Sequence, residues 1–240
     1  MNDLPASRAE APAAAAPPQS VLVWDAPVRL LHWLLVLCFF GAYASGDSER
    51  WRALHVTLGH TVLGLVGFRL VWGLVGTRHA RFSSFVRGPA HVLRYLRSLV
   101  GPRPEHHVGH NPAGALAIVA LLTLALVVAA SGWATWREAS GEWLEEVHEA
   151  AAHLMLALVA LHVAAVLVTS LLHGENLIGA MFSGRKRGAP HEGIRRPWRG
   201  VAAAVAAAVL AFWWLQWRDA ASPNAGPARS ETRHERHHDD

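Results

Sequence analysis

Six histidines stand inside long apolar stretches of the sequence, where an ionisable side chain is costly and needs a specific role. The first stretch carries His32, the second carries His55 and His60, and the fourth carries His148, His153 and His162. Imidazole is the commonest metal ligand in proteins and also an axial ligand of haem iron. Cys38 is the only cysteine. Disulfides, cysteine-ligated clusters and covalently attached c-type haem are therefore excluded within the chain.

Membrane-spanning helices must position these histidines. The chain has 240 residues, of which 52% are hydrophobic and 17% are charged, against about 25% charged residues in ordinary soluble domains. Windows of about 18 apolar residues are long enough to cross a ~30 Å hydrocarbon core as helix, and the alternating segments of a barrel are missing from the pattern. The sequence predicts an all-α membrane protein with spans at about 28–44, 52–75, 112–133, 147–172 and 200–217.

The rest of the chain divides around these spans. Residues 1–20 are rich in Ala and Pro, lack the apolar core of a signal peptide and are predicted to be a disordered tail. Apolar residues recur at helical spacing over 91–100, which predicts an amphipathic helix on the membrane surface. We assign 21–187 to one transmembrane domain, 188–217 to a basic linker with the fifth span, and 218–240 to a disordered, charged, His-containing tail.

Positive charge is concentrated in two of the loops. The loop between spans two and three carries Arg78, Arg81, Arg87, Arg94, Arg97 and Arg103, and the loop between spans four and five carries six Lys and Arg residues. The opposite side has only Arg50 and Arg52 in one loop and Arg137 in the other. Because basic loops stay in the cytoplasm, the N-terminus is predicted to be cytoplasmic and the C-terminal tail periplasmic. The high pI then reflects loops beside anionic lipid and not binding to nucleic acid.

The histidines fall at two matched depths. At ~1.5 Å per residue, His32 and His162 lie roughly 20 and 22 Å from the outer ends of their spans, whereas His55 and His148 lie roughly 2–5 Å deep. His148 and His162 are separated by only ~40° around their helix, so they lie on the same face. Span four can therefore supply one ligand to each of two sites, and spans one and two supply the other ligand of each. This arrangement predicts two stacked planar cofactors, each held between two imidazoles. Haem suits such a site, and two imidazoles leave no open position, which favours electron transfer.

Each of the other residues near these positions has two possible roles. His60 and His153 point ~140° away from the predicted ligands, which favours hydrogen bonding or proton relay over ligation. Arg69 and Arg29 could reach the interface along their apolar stems or pair with a haem propionate. Glycines on span two (Gly59, Gly64 and Gly67) could make room for a macrocycle or allow close helix packing. Histidines in the loops are expected to be solvated.

Several short motifs resemble the bacterial cytochrome b561 and nickel-hydrogenase cytochrome b family. They are Arg29-Leu-Leu-His32-Trp33, Leu54-His55-Val-Thr-Leu-Gly59, His148-Glu149, Leu161-His162, Arg69-Leu-Val-Trp72-Gly73 and Gly76-Thr-Arg-His-Ala-Arg-Phe82. The resemblance covers about residues 21–187 and implies a four-helix transmembrane bundle with two non-covalent b-type haems. It also implies that His55 and His148 are the ligands of the periplasmic haem, and that His32 and His162 are the ligands of the cytoplasmic haem. The fifth C-terminal helix lies outside this core.

The resemblance also implies a function in the bacterial inner membrane. We expect a respiratory electron carrier, more an electron-transfer protein or cytochrome subunit than a stand-alone enzyme, that connects the quinone pool with a periplasmic cytochrome c, hydrogenase or reductase. One alternative is a superoxide:quinone oxidoreductase of the same fold. Arg50 and Arg52 would suit attraction of an anion, but the Glu-rich outer loop opposes it. Another alternative is a histidine-lined metal transporter without haem.

Overall fold

A computed structural model of the chain describes residues 19–99, 101, 107–137 and 141–221. Most of the predicted N-terminal tail, residues 1–18, lies outside the described residues, as do residues 222–240 of the C-terminal tail. Arg103, His106 and Glu138 of the loops lie outside them too.

The described chain is mostly helical. Its helices are α1 (Ala26–Ser45), α2 (Arg52–Val75), α3 (Phe82–Phe85), α4 (Pro89–Leu99), α5 (Pro112–Trp136), α6 (Trp143–His173), α7 (Leu177–Ser183) and α8 (Arg199–Ala221). Two strands, β1 (Gln19–Leu22) and β2 (Arg185–Gly188), and two short 3-10 turns, Glu49–Trp51 and Pro190–Glu192, complete the described elements.

Five of these helices, α1, α2, α5, α6 and α8, are long and apolar enough to cross a membrane. Each contains one predicted span, so the prediction of five spans is confirmed. The predicted surface helix is α4, which begins two residues before the predicted 91–100; Val100 lies outside the described residues.

The transmembrane helices pack in the order of the chain. Helix α1 lies against α2, α2 against α5, and α5 against α6. The core between the first three contains Leu31, Cys38, Leu65 and Val66, all buried. Among the described helices, α6 packs closely along α5 and not along α1 or α2. The space that separates α6 from α1 and α2 is spanned by side chains, which include the histidines.

The fifth long helix is attached to this core. Helix α8 packs on α1 and α2, and Val205, Val209 and Trp213 contact the core cluster. The indole Nε1 of Trp213 donates a hydrogen bond to Thr61 Oγ1 at 2.9 Å. A polar contact between apolar helices fixes their relative rotation, so α8 has a defined position on the bundle.

The small sheet was not predicted. Strand β1 pairs antiparallel with β2, with Gln19 opposite Gly188 and Leu22 opposite Arg185. Residues 19 and 20, which we had placed in the tail, begin β1. The prediction of an all-α chain missed this sheet because β2 reads Arg-Lys-Arg-Gly, which lacks the apolar alternation of a strand. The sheet lies where α1 begins and α6 has ended; we call this end of the molecule the sheet end.

A buried carboxylate organises the sheet end. Asp25 is fully buried and caps α1 by accepting a hydrogen bond from Val28 N at 2.8 Å. Its second oxygen accepts from Trp72 Nε1 at 3.1 Å and from Thr77 Oγ1 at 2.6 Å. The start of α1 is therefore tied to the end of α2, which sets the relative height of the histidines on those two helices.

Candidate functional site

His55 on α2 and His148 on α6 face each other at the end of the bundle opposite the sheet. Their ring centroids are 6.0 Å apart and the ring planes are 78° apart. A metal bound at ~2 Å to one nitrogen of each ring would put the ring centres roughly 6 Å apart. The separation therefore suits two imidazoles on one iron.

Both rings are held by carbonyl groups of neighbouring helices. His55 Nδ1 lies 2.9 Å from Ala42 O on α1, and His148 Nδ1 lies 2.9 Å from Val128 O on α5. Because a carbonyl oxygen can only accept, each Nδ1 carries the hydrogen and each Nε2 keeps its lone pair. Metal-ligating histidines are oriented in this way, by a hydrogen bond from the nitrogen that does not bind the metal.

Helix α5 contributes no histidine but shapes the pocket around His148. At Gly132, a Cβ atom would lie 2.8 Å from His148 Cε1 and 3.0 Å from its Nδ1, so the ring occupies the space that a side chain would need. Ser131 Oγ lies 3.3 Å from the same Nδ1. Neither residue was predicted as part of the site. The feature of the sequence that could have indicated them is the Ser-Gly pair that interrupts the apolar residues of span three.

His32 on α1 and His162 on α6 lie in the half of the bundle nearer the sheet end. Both are half-buried. Four buried polar atoms with no hydrogen-bond partner in the described structure belong to this region, namely His32 Nδ1, Trp33 Nε1, Arg29 Nε and Arg69 Nη1. Unpaired buried donors are rare because each is costly. The two arginines and the indole can only donate, which is what the carboxylates of haem propionates would need.

The two arginines have different surroundings. Arg69 is only 6% exposed, and its guanidinium carbon lies 4.8 Å from the centre of the Phe82 ring. It is therefore buried and does not extend to the interface, and its pairing with a haem propionate stays a prediction. Arg29 Nη1 donates to the carbonyl of Phe182 in α7, so Arg29 holds α7 against α1.

The other histidines of the spans bond within their own helices. His60 Nδ1 lies 2.8 Å from Val56 O, and His153 Nδ1 lies 2.9 Å from Glu149 O, in both cases four residues earlier. These carbonyls belong to the same helix as the ring, whereas those that accept from His55 and His148 belong to a neighbouring helix; the His153 ring also lies edge-on to Tyr43 of α1, with centroids 5.9 Å apart. This difference favours the hydrogen-bonding interpretation of His60 and His153.

Three of the four glycines of α2 do not serve close packing between the described helices; the fourth, Gly73, lies against the ring of Phe82. A Cβ atom built at Gly59, Gly64 or Gly67 would meet no atom within 4 Å. Close contact with another described helix is therefore excluded at these three positions, of which Gly64 and Gly67 are exposed.

Two of the loop histidines that were expected to be solvated, His79 and His110, are half-buried at the sheet end, so the expectation was wrong for these two. The His110 ring lies between Trp24 and Phe85, with centroids 4.4 and 4.5 Å away. Burial lowers the pKa of His110 to about 3, and the nearby charge of Arg69 adds to the effect. Burial also lowers the pKa of His79, against the opposing effect of its 2.8 Å contact from Nε2 to Glu192 O. The loop folds back under the helices, which sequence spacing alone does not reveal.

Long apolar helices that bring histidine pairs together in their interior define a membrane protein of the cytochrome b class. Residues 23–184 match the model of the prokaryotic cytochrome b561 family, and the chain belongs to this family. The expected resemblance is thereby confirmed. Cytochromes of the b type carry b-type haem, and the donor atoms described above fit that cofactor.

The curated relatives share a common description. A probable Ni/Fe-hydrogenase B-type cytochrome subunit of Rhizobium leguminosarum bv. viciae is 24% identical over 214 residues, which cover 70% of this chain and 89% of the relative. Its counterpart in Rhodobacter capsulatus is 22% identical over 215 residues, which cover 70% and 81%. The probable Ni/Fe-hydrogenase 1 B-type cytochrome subunit of Escherichia coli K12 is 27% identical over 144 residues, which cover 49% and 61%. No solved structure matches the chain.

Proposed function

We propose that this protein is a diheme membrane cytochrome b that carries electrons between the quinone pool and a periplasmic redox partner, with a Ni/Fe-hydrogenase as the favoured partner. The hydrogenase is favoured because the matched relatives are described as subunits of that enzyme. The main support for the haem site is the pair His55 and His148, with 6.0 Å between ring centroids and with each Nδ1 bound to a carbonyl.

The proposed roles follow from the positions of the side chains. Bound haem iron would accept and release one electron at a time. His55 and His148 would hold the outer haem through Nε2, and their hydrogen bonds to Ala42 and Val128 would fix both ring orientations. His32 and His162 would hold the inner haem, with Arg69 and Arg29 available to its carboxylates. Because His148 and His162 are fourteen residues apart on α6, their Cα atoms are separated by roughly 21 Å along the helix, which suits transfer across most of the hydrocarbon core.

Haem content tests this proposal directly. Purified protein should show a b-type difference spectrum and two haems per chain, and His148→Ala should retain only the inner haem. His153→Ala is the matched control, since it removes a histidine from the same helix and should leave both haems. A colourless preparation, as the metal-transporter alternative requires, would exclude both haem-based functions. Two haems in His148→Ala would disprove the pairing.

The superoxide alternative depends on a basic surface near the outer haem. The structure pairs Arg52 with Glu49 at 3.4 Å and places the Arg50 guanidinium carbon 5.5 Å from the centre of the Trp51 ring. Arg52 is thus partly neutralised, which favours the electron-carrier function. Superoxide-dependent reduction of quinone by the purified protein alone would reverse this preference.

Orientation in the inner membrane is part of the proposal. With the N-terminus cytoplasmic and the C-terminal tail periplasmic, Arg195 faces the cytoplasm and Glu142 faces the periplasm. Both are exposed, whereas the native Cys38 is buried. In intact cells an impermeant maleimide should label Glu142→Cys and not Arg195→Cys, and the reverse pattern would invert the topology.

A further inference from the structure

A cavity of about 410 Å³ opens at the sheet end, outside the histidine pairs described above. Its volume falls within the range of roughly 300–1,000 Å³ that is typical of ligand pockets. Among the described residues, the wall includes Arg78, Arg87 and Arg94 and one acidic residue, Glu192. These arginines come from the segment after α2, the segment after α3, and α4, so the fold of this one loop turns three of its charges towards the same cavity.

The charge of this cavity comes from its arginines and not from its histidines. His79 and His110 also line the wall, but burial lowers the pKa of both, so they are neutral at pH 7. The carboxylate of Glu192 is held by the backbone, because its Oε2 accepts a hydrogen bond from Ala189 N at 2.7 Å. The side chain of Arg87 is exposed and makes no ion pair with any described residue. The cavity is therefore suited to an anion.

Helix α4 places the cavity near the surface of the membrane. Its Tyr95 is 1% exposed, whereas Leu93 and Leu96 on the outer side are 49% and 45% exposed. Large apolar side chains exposed on a helix that packs against the transmembrane helix α5 are suited to the boundary of acyl chains and headgroups. Arg94 and His91 of the same helix line the cavity, so its opening lies at the depth of lipid headgroups.

Retention of basic loops in the cytoplasm requires arginines but does not require them to surround a cavity. From the volume of the cavity, its positive wall and the apolar outer side of α4, we propose that the cavity binds a phosphate-bearing anion, with the headgroup of an acidic phospholipid as its favoured source. Guanidinium groups form strong, bidentate hydrogen bonds with phosphate. Basic pockets on the cytoplasmic side of membrane proteins are suited to such headgroups.

The test uses the full-length, haem-loaded protein in detergent, stripped of lipid and titrated with one of three probes. The probes are short-chain phosphatidylglycerol, short-chain phosphatidylcholine and inorganic phosphate. Binding is followed by the rise in Tm, read from tryptophan fluorescence, because a ligand of the folded state stabilises it by mass action. This readout does not depend on haem content. Phosphatidylglycerol should raise Tm at concentrations at which phosphatidylcholine does not.

The variants separate a built site from general attraction to positive charge. Arg87→Gln should weaken phosphatidylglycerol binding roughly tenfold, in keeping with the loss of a charge-assisted hydrogen bond, and Arg87→Lys should keep part of the affinity. Arg81→Gln is the control, because Arg81 belongs to the same loop but not to the cavity wall. It removes an equal charge and should leave the affinity within about twofold, since exposed charges away from the ligand are screened.

Each outcome decides the proposal. A phosphatidylglycerol response with no response to inorganic phosphate supports a lipid headgroup site. Competition by inorganic phosphate supports the same anion site with phosphate from solution as its ligand. Equal binding of phosphatidylcholine and phosphatidylglycerol, an equal loss in Arg81→Gln, or no response to any probe would overturn it.

Discussion

Gly132→Ala should remove or loosen the outer haem while the inner haem remains. The new Cβ atom would lie 2.8 Å from His148 Cε1 and 3.0 Å from Nδ1, closer than non-bonded carbon atoms pack, at about 3.5–4.0 Å. The ring must therefore move by roughly 0.7 Å or more to restore contact at that distance.

Such a movement acts on a ring that is held at one nitrogen and proposed to bind iron at the other. The hydrogen bond from Nδ1 to Val128 O is 2.9 Å long, and both Val128 and Gly132 lie on α5, so a movement of the ring away from Gly132 also changes its position relative to Val128 O. Disturbing the hydrogen-bond partner of a metal ligand typically lowers metal affinity by about 10- to 100-fold. Haem content should fall from two towards one per chain.

The measurement is the ratio of haem to protein together with a redox titration of the difference spectrum, in which one of two components should disappear or shift. Gly200→Ala is the matched control, since a Cβ atom there meets nothing within 4 Å. Two haems with unchanged spectrum and potentials in Gly132→Ala would refute the placement of an iron ligand at His148.

Three further predictions concern residues around the two ends of the bundle. Ser131→Ala removes the hydroxyl 3.3 Å from His148 Nδ1 and should shift the midpoint potential of the outer haem alone, without loss of haem; equal shifts in both haems would contradict this. Asp25→Asn replaces a carboxylate that accepts three hydrogen bonds with a group that must turn an NH₂ towards one donor, so the free energy of unfolding should fall by about 1–3 kcal/mol. Tryptophan fluorescence should report a lower Tm, and an unchanged Tm would show that the carboxylate does not stabilise this end. The pKa of His110 is lowered to about 3, below its ordinary value of about 6.5, so unfolding takes up a proton between these values and stability should fall as the pH drops from 7 to 4. His110→Phe should flatten that dependence of Tm, and an unchanged slope would assign it to other groups.

The transmembrane helices could be predicted closely because their signal is local. The predicted 52–75 coincides with α2, and the other four spans lie within their helices. Hydrocarbon excludes unpaired backbone groups, so about 18 apolar residues have no structure open to them except a helix. The strand β2 could not be predicted in this way, because it is formed by pairing with residues 19–22, more than 160 positions earlier.

The candidate site also has some properties that follow from local sequence and others that depend on contacts between helices. The spacing of His55, His148 and the other histidines predicts depth and helix face, since both follow from 1.5 Å and 100° per residue. The partners of their Nδ1 atoms, on α1 and α5, do not follow from spacing, because they depend on which helices become neighbours.

The sequence by itself thus determined the membrane class, the five spans and the depths at which histidines occur, because composition and helical repeat are properties of single segments. Only the tertiary structure decided that Gly132 must lack a side chain, that Asp25 joins α1 to α2, and that three arginines of one basic loop line a cavity. Each of these depends on contacts between residues far apart in the chain, which arise when the helices pack and the loops close over their ends.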